Sequence, residues 1–508
     1  MERETSKHSH IPQEIVDFYE KNVGQSIVLR GPAGSGKTIL AIRILEELSQ
    51  KQQTIYLTTK ELDERLCAQF SWLGKNIGDR ILDATVGQKE ALNMFNGDNS
   101  QKPRAQPQPA TTNKHENGAR PTVVCRTHLS KLLSAAHLPE LEMLYEKVEK
   151  GLPEKTIAVI DTIEGIANRC KYDGTPLSVQ ELIEVIQKDL VEKSGTNLLF
   201  ILGQPTASFA DFLVDGVITL HMQDIDGRRV RELVLEKLRT VNIKQPTYIY
   251  TLIGGKFHYF EIFKHQRISE PRLWEPVQDA PLYFSTGSKP LDNLLGGGYS
   301  KGSYNILEID DAVSHNGLVS LILPTICNFV RAGRGVILVP EGGNSPEHVK
   351  KTFLPFIGKD AFPKYFRILV SRTGKTDRSY ILTDAESPKA RAKIWENTFC
   401  KLKEEIKQPI LDITSFSTLE YEIGGNTAIK EIGEGIKLIK DGGDLGIGIL
   451  SPGLTMAQEV KNMADTHLKI IEMNGSYLLY GVKPKTQMYN ASVDVSKGTP
   501  ELKLSLII

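Results

Sequence analysis

Short runs that are apolar throughout alternate, in the first half of the chain, with longer stretches of helical period. SIVLR (26–30), TIYLTT (54–59), TIAVID (156–161), NLLFIL (197–202) and GVITLHM (216–222) are strand-sized. They lack the polar alternation of a sheet with one wet face. Between them, KTILAIRILEELSQ (37–50) and SVQELIEVIQKDLVEKS (178–194) repeat apolar residues at helical spacing. Strands buried on both faces and separated by helices predict an α/β fold, a mainly parallel twisted sheet flanked by helices. The stretch MQDIDGRRVRELVLEKLRTVN departs from this pattern and reads as a hairpin turning at Asp226-Gly227.

Two polar segments interrupt the pattern. Residues 96–121 are rich in Pro, Gln and Asn and predict a flexible insertion. Residues 265–281 carry three prolines and few apolar positions, and predict a linker. The expected organisation is a first domain over 1–264, a linker over 265–281 and a second domain over 282–508. The two halves look like a long internal repeat. GQSIVLRG corresponds to KGSYNILEI, QTIYLTTKE to RGVILVPEG, and KTIAVIDTIEGIA to QPILDITSFSTLE, which sets Asp161 against Asp412. FLVDGVITLHM followed by ELVLEKLRT corresponds to NMADTHLKIIEMNGSYLLYGV.

Composition narrows the classes of function. The chain of 508 residues has 62 Lys+Arg and 62 Asp+Glu, so no global basic field draws it to nucleic acid. The five cysteines are scattered and form no CxxC, which argues against a disulfide framework and a structural zinc site. No apolar run approaches the ~18 residues of a membrane span, and the N-terminal stretch lacks a signal-type core. A cytoplasmic protein without membrane insertion is expected.

The first half carries the chemistry. GPAGSGKT, running Gly31, Pro32, Ala33, Gly34, Ser35, Gly36, Lys37 and Thr38, fits G-x-x-x-x-G-K-[ST] between a strand and a helix. Glycines let backbone N–H groups turn inward around phosphate oxygens, and the following helix aims its positive end there. Lys37 then reaches the β- and γ-phosphates of ATP, and Thr38 is a ligand for Mg2+. Asp161 ends a strand of apolar residues, which sets its carboxylate at the sheet edge beside the loop, as a second magnesium ligand. Glu61, after the second strand, either polarises an attacking water or is a solvated helix-start glutamate. Lys237 and Arg239 lie two apart on a strand. They either reach a phosphate, their own or a neighbour's, or are solvated strand charges. Arg228, Arg229 and Arg231 cluster just after the hairpin turn.

These motifs resemble the RecA-like P-loop ATPases, specifically the KaiC-type branch. In the first half the resemblance rests on GPAGSGKT, YLTTKE, TIAVIDTIEG, FLVDGVITL and EKLRT. In the second it rests on STGSKPLDNLLGGGYSKGS and VPEGGNSPEHVKKTF. More narrowly, IPQEIVDFYEKNVGQSIVLRGPAGSGKT and YIYTLIGGKFHYFEIF are similar to the P-loop domain of the archaeal gas-vesicle regulators of the GvpD family. The resemblance implies two tandem RecA-like domains and roles for Lys37, Thr38 and Asp161 at ATP-Mg. It also implies a catalytic acid at Glu61, beside Lys60 where that branch has a second acid, and hence slow hydrolysis. Lys237 and Arg239 would act across a subunit interface of a homo-oligomer. The expected function is a regulatory ATPase whose nucleotide state controls assembly or a protein partner. Two alternatives are a DNA-binding recombination or repair ATPase, which the charge balance does not favour, and a nucleotide-gated binding module with little turnover.

The second half carries the preamble of such a loop without the loop itself. Aligning Ser26 with Ser303 sets Gly31–Thr38 against Glu308–His315. The lysine is absent, and Asp310 and Asp311 enter the phosphate position, where carboxylates repel phosphate. A degenerate second copy, structural or partner-binding, is expected.

Overall fold

The computed structural model describes residues 10–21, 23–59, 81–83, 139–168, 171–172, 175–176, 178–204, 209–342, 344–370, 379–382 and 387–508. Glu61 and the 96–121 insertion lie outside them. Contacts divide the chain into two units, residues 1–259 with 508, and residues 260–507. Each unit is an α/β body built on one large sheet.

The first unit is built on a nine-stranded sheet. From one edge its strands run Ile81–Asp83, Gln53–Thr58, Thr156–Asp161, Asn197–Ile201, Ser26–Arg30 and Gly216–Ile225, all parallel. Arg228–Leu238, Thr247–Thr251 and His258–Tyr259 extend the other edge antiparallel. The central strands are buried throughout and mainly apolar because both faces are covered. Ile27 and Leu29 join one apolar cluster with the helix Lys37–Leu48, while Val28 joins another with the helices Pro139–Gly151 and Val179–Ile186. Strand period two divides Ile157 and Val159 from Ala158 and Ile160 in the same way. The Val179–Ile186 helix starts with a capping box. Ser178 Oγ accepts from the Glu181 N–H and Glu181 returns a bond to the Ser178 N–H. The hairpin turns at Asp226-Gly227, both with positive φ (51° and 71°), as its sequence predicts.

The second unit repeats this order with a ten-stranded sheet. Its parallel strands run Tyr380–Leu382, Phe366–Val370, Gly335–Val339, Ile410–Ser415, Leu445–Leu450, Ser303–Ile309 and Thr466–Met473. Ser476–Lys483, Tyr489–Asp494 and Glu501–Leu506 follow antiparallel. The segment 265–281, expected as a linker, is packed onto this unit. Trp274 is buried, its backbone N–H donates to Phe356 O at 2.7 Å, and the Val277 backbone N–H donates to Asn328 Oδ1 at 2.7 Å.

The two registers refine the repeat. The loop helices begin at Lys37 and at His315. Matching those helix starts sets Leu29 against Leu307. Leu29 pairs with Ile201 and Ile201 with Asp161, whereas Leu307 pairs with Ile449 and Ile449 with Ser415. Ser415 therefore stands in the place of Asp161, and Asp412 lies three residues earlier in its strand. The pairing of Asp161 with Asp412 is corrected accordingly. The loop alignment shifts by one residue, so His315 takes the place of Lys37. Arg30 then corresponds to Glu308, and the surroundings reverse charge with it. Arg30 is buried against Asp211, Glu236 and Thr219. Glu308 is held by Lys461 at 3.0 Å and His467 at 2.7 Å, with Lys469 at 3.8 Å.

Candidate phosphate-binding site

The loop Gly31–Gly36 leaves the Ser26–Arg30 strand and enters the Lys37–Leu48 helix. Two of its glycines are required by geometry. Gly34 has φ 76°, and a Cβ there would meet nothing within 4 Å, so this part of the loop faces open space. Gly36, the helix N-cap, has φ 91°, and a Cβ would approach Leu252 Cδ1 to 2.8 Å. An L side chain in the left-handed region costs about 1–2 kcal/mol. The result is a concave loop of backbone N–H groups at the positive end of a 12-residue helix. Lys37 Nζ lies across it, donating to Gly31 O at 2.6 Å and Pro32 O at 3.0 Å.

Asp161 reaches the loop through the sheet order. One strand, Asn197–Ile201, separates its strand from Ser26–Arg30, and all three are parallel. Their C-terminal ends therefore share one edge. Thr38 Oγ1 donates to Asp161 Oδ2 at 2.7 Å, and Tyr56 OH donates to the same oxygen at 2.7 Å. Asp161 is buried, and its carbonyl accepts from the Thr59 N–H at 2.7 Å. A hydroxyl and a carboxylate in contact beside a phosphate-type loop form the hard oxygen set that suits Mg2+. The residues present thus fit a nucleotide with its metal.

Three braces escaped the sequence reading. Tyr56 lies two residues before the TTKE string and orients Asp161. Arg231 Nη1 donates to Gly34 O at 2.9 Å, and Tyr250 OH donates to Ser35 O at 2.5 Å. Burial pushes the Tyr250 phenol up, with Arg231 opposing it, so it stays a hydrogen-bond donor. Arg231 belonged to the noted arginine cluster, but only the antiparallel register shows that it faces the loop. Behind the loop, burial disfavours charge on Glu236. Hydrogen bonds from Thr219 and Arg30 outweigh it and hold the carboxyl below its usual range.

The remaining site candidates fall elsewhere. Lys237 pairs with Val217, toward the start of the Ser26–Arg30 strand, whereas Arg231 pairs with Met222 beyond its loop end. Lys237 Nζ donates to Asp211 O and Val214 O, and Arg239 Nη1 donates to Asp215 Oδ1 at 3.3 Å. Neither is brought to its own loop. Glu61 lies outside the described residues. In the second unit, the loop between Ile309 and His315 has no positive φ and no lysine. Ser314 caps its helix by accepting from the Gly317 N–H, and the Ser314 N–H donates to Tyr477 OH. That loop lacks the inward-turned backbone of the first.

Fold and site together define a P-loop protein of the RecA-like type, a nucleotide-binding class. Two family profiles match the chain. "GvpD gas vesicle protein, P-loop domain" covers residues 15–90 and 134–236, and "GvpD basic region 2" covers 273–387. Together they span more than half of the sequence, and the chain belongs to the GvpD family of gas vesicle proteins. Among curated relatives, Protein GvpD2 of Halobacterium salinarum is 25% identical over 98% of this chain and 97% of its own length. Protein GvpD1 of the same organism is 22% identical over 98% and 96%. Among the described residues no helix is long and apolar enough to cross a membrane.

Proposed function

We propose that this chain is a nucleotide-switched regulator in gas vesicle formation, binding ATP-Mg at the first unit and hydrolysing it slowly. The observation that carries the reading is the Thr38–Asp161 contact at 2.7 Å beside a loop that contains Lys37. Lys37 already spans the loop opening, so its ammonium moves from backbone carbonyls to phosphate oxygens with a short swing. Thr38 and Asp161 would hold magnesium, which supplies charge neutralisation at the phosphates. Tyr56 keeps the Asp161 carboxylate turned toward Thr38. Arg231 and Tyr250 hold the loop carbonyls of Gly34 and Ser35 outward, which leaves the N–H groups for the ligand.

Glu61 orients the attacking water in this reading, with Lys60 in place of a second acid keeping turnover low. Lys237 and Arg239 of a neighbouring subunit neutralise charge that develops at the γ-phosphate, which requires a homo-oligomer. The second unit acts as a structural or partner-binding copy, and nucleotide state sets its engagement of a protein regulator.

Two measurements test this. Lys37→Ala is expected to abolish tight ATP binding, and wild-type binding and hydrolysis in that variant would sink the placement. Light scattering after size exclusion, with and without ATP-Mg, should show nucleotide-dependent assembly that Arg239→Ala loses. Monomers under every condition would remove the interface role.

A further inference from the structure

On the face of the second sheet covered by the helices Pro388–Ile406 and Gly425–Asp441, a cleft opens between those helices. It has an inner chamber of about 60 Å³ over Tyr304 and Asp412, and an outer one of about 270 Å³. Trp395, Glu431 and Gly435 line both, so the chambers adjoin. Gly435 leaves the opening clear, since a Cβ there would already sit 3.5 Å from the Trp395 ring.

The polar groups are arranged for something that the chain itself does not supply. Arg391 is buried, and its Nε donates to Glu422 Oε2 at 2.6 Å. Its Nη1 lies 3.9 Å from Glu431 Oε2. Its buried Nη2 has no hydrogen-bond partner among the described residues. The Tyr304 hydroxyl, on a side chain 3% exposed, likewise makes no hydrogen bond among them. Asp412 accepts from Trp395 Nε1 at 2.8 Å and from Thr414 Oγ1 at 3.0 Å, but faces no cation within ion-pair distance among the described residues. Two carboxylates that line the chamber, Asp412 and Glu431, therefore face one guanidinium, whose Nε is already given to Glu422. The outer chamber adds Glu396, Glu434 and Asp441 against Lys437.

A cavity of this volume and polarity holds several waters on its own account. Water does not compensate an excess of buried carboxylates, whereas a cation does. The indole of Trp395 favours the same charge. An anion would meet the acidic lining, and an apolar compound would leave Arg391 Nη2 unmet. We propose that this cleft binds a small organic ammonium compound that also carries a neutral oxygen acceptor. The ammonium group donates to Asp412 and Glu431, its hydrocarbon body lies against Trp395, and its oxygen accepts from Arg391 Nη2. The site lies wholly within the second unit, so it stands or falls independently of the nucleotide reading.

The test is calorimetric titration of the full chain with tyramine and with ethanolamine, each of which has the ammonium group and the hydroxyl. 4-Ethylphenol, which keeps the ring and hydroxyl of tyramine without the charge, is the control. At least one amine should bind, and 4-ethylphenol should not. Glu431→Gln and Asp412→Asn should each weaken binding by on the order of ten-fold. Gly435→Leu should block entry while the circular dichroism stays that of wild type, which separates loss of the site from loss of the fold. The proposal is overturned if neither amine binds at millimolar concentration, if 4-ethylphenol binds equally, or if the folded variants retain wild-type affinity.

Discussion

Replacing Asp412 by Asn should stabilise the second unit at neutral pH. The side chain is 3% exposed, and burial raises its carboxyl pKa from 3.8 to about 6, against the hydrogen bonds from Trp395 and Thr414 and the charge of Arg391. The raised pKa fixes the sign. The neutral acid is the form the fold prefers, so its contribution is fully present below pH 3.8. It is lost as pH rises through about 6. The gap of about two pKa units corresponds to about 3 kcal/mol lost above pH 7. Asn has nearly the same shape. Its Oδ1 still accepts from Trp395 Nε1, and its amide donates to the Thr414 hydroxyl, which can accept as readily as donate. Urea unfolding followed by circular dichroism and tryptophan fluorescence, at pH 7.5 and at pH 4, checks this. Asp412→Asn should exceed wild type by up to about 3 kcal/mol at pH 7.5, and the two should converge at pH 4. A variant that is less stable at pH 7.5, or a gap of equal size at both values, would show that the chain compensates the carboxylate. A stable variant that has lost amine binding would instead mark Asp412 as a group kept for a ligand at the expense of the fold.

The reversed-charge site should titrate the other way. Burial opposes ionisation of Glu308, but His467, Lys461 and Lys469 hold its pKa down to about 2 from 4.5. Its contribution is full above pH 4.5 and is lost as pH falls toward 2, so Glu308→Gln should cost on the order of 2–3 kcal/mol at pH 7 and clearly less at pH 3. An unchanged cost at pH 3 contradicts the ion pairs as its source. Arg231→Ala frees the Gly34 carbonyl, so amide exchange at Gly34 and Ser35 should quicken and ATP affinity fall several-fold; protection equal to wild type would remove the brace. Thr38→Val keeps the shape of the side chain and deletes its hydroxyl. It should abolish the magnesium dependence of nucleotide binding, and a variant that still tightens its grip on ATP when magnesium is added would remove Thr38 from the metal.

Much of this molecule follows from local rules in the sequence. The mainly apolar strands announce a sheet covered on both faces, since successive side chains point to opposite faces and neither face meets water. GPAGSGKT states its own conformation, because Gly34 and Gly36 occupy backbone angles that other residues resist, and Asp226-Gly227 does the same for the hairpin. Tertiary structure alone decided which side chains meet. Tyr56 and Asp161 are 105 residues apart, and Arg231 and Gly34 are 197 apart. Only strand order and register bring them within hydrogen-bond distance. The same register sends Lys237 to the far end of its hairpin and sets Ser415, rather than Asp412, in the place of Asp161. It also leaves Asp412 facing a cleft between two helices. Local propensity is written residue by residue and can be read that way. A contact across a sheet depends on the alignment of every strand between its partners, and a one-residue slip would exchange one face of the sheet for the other.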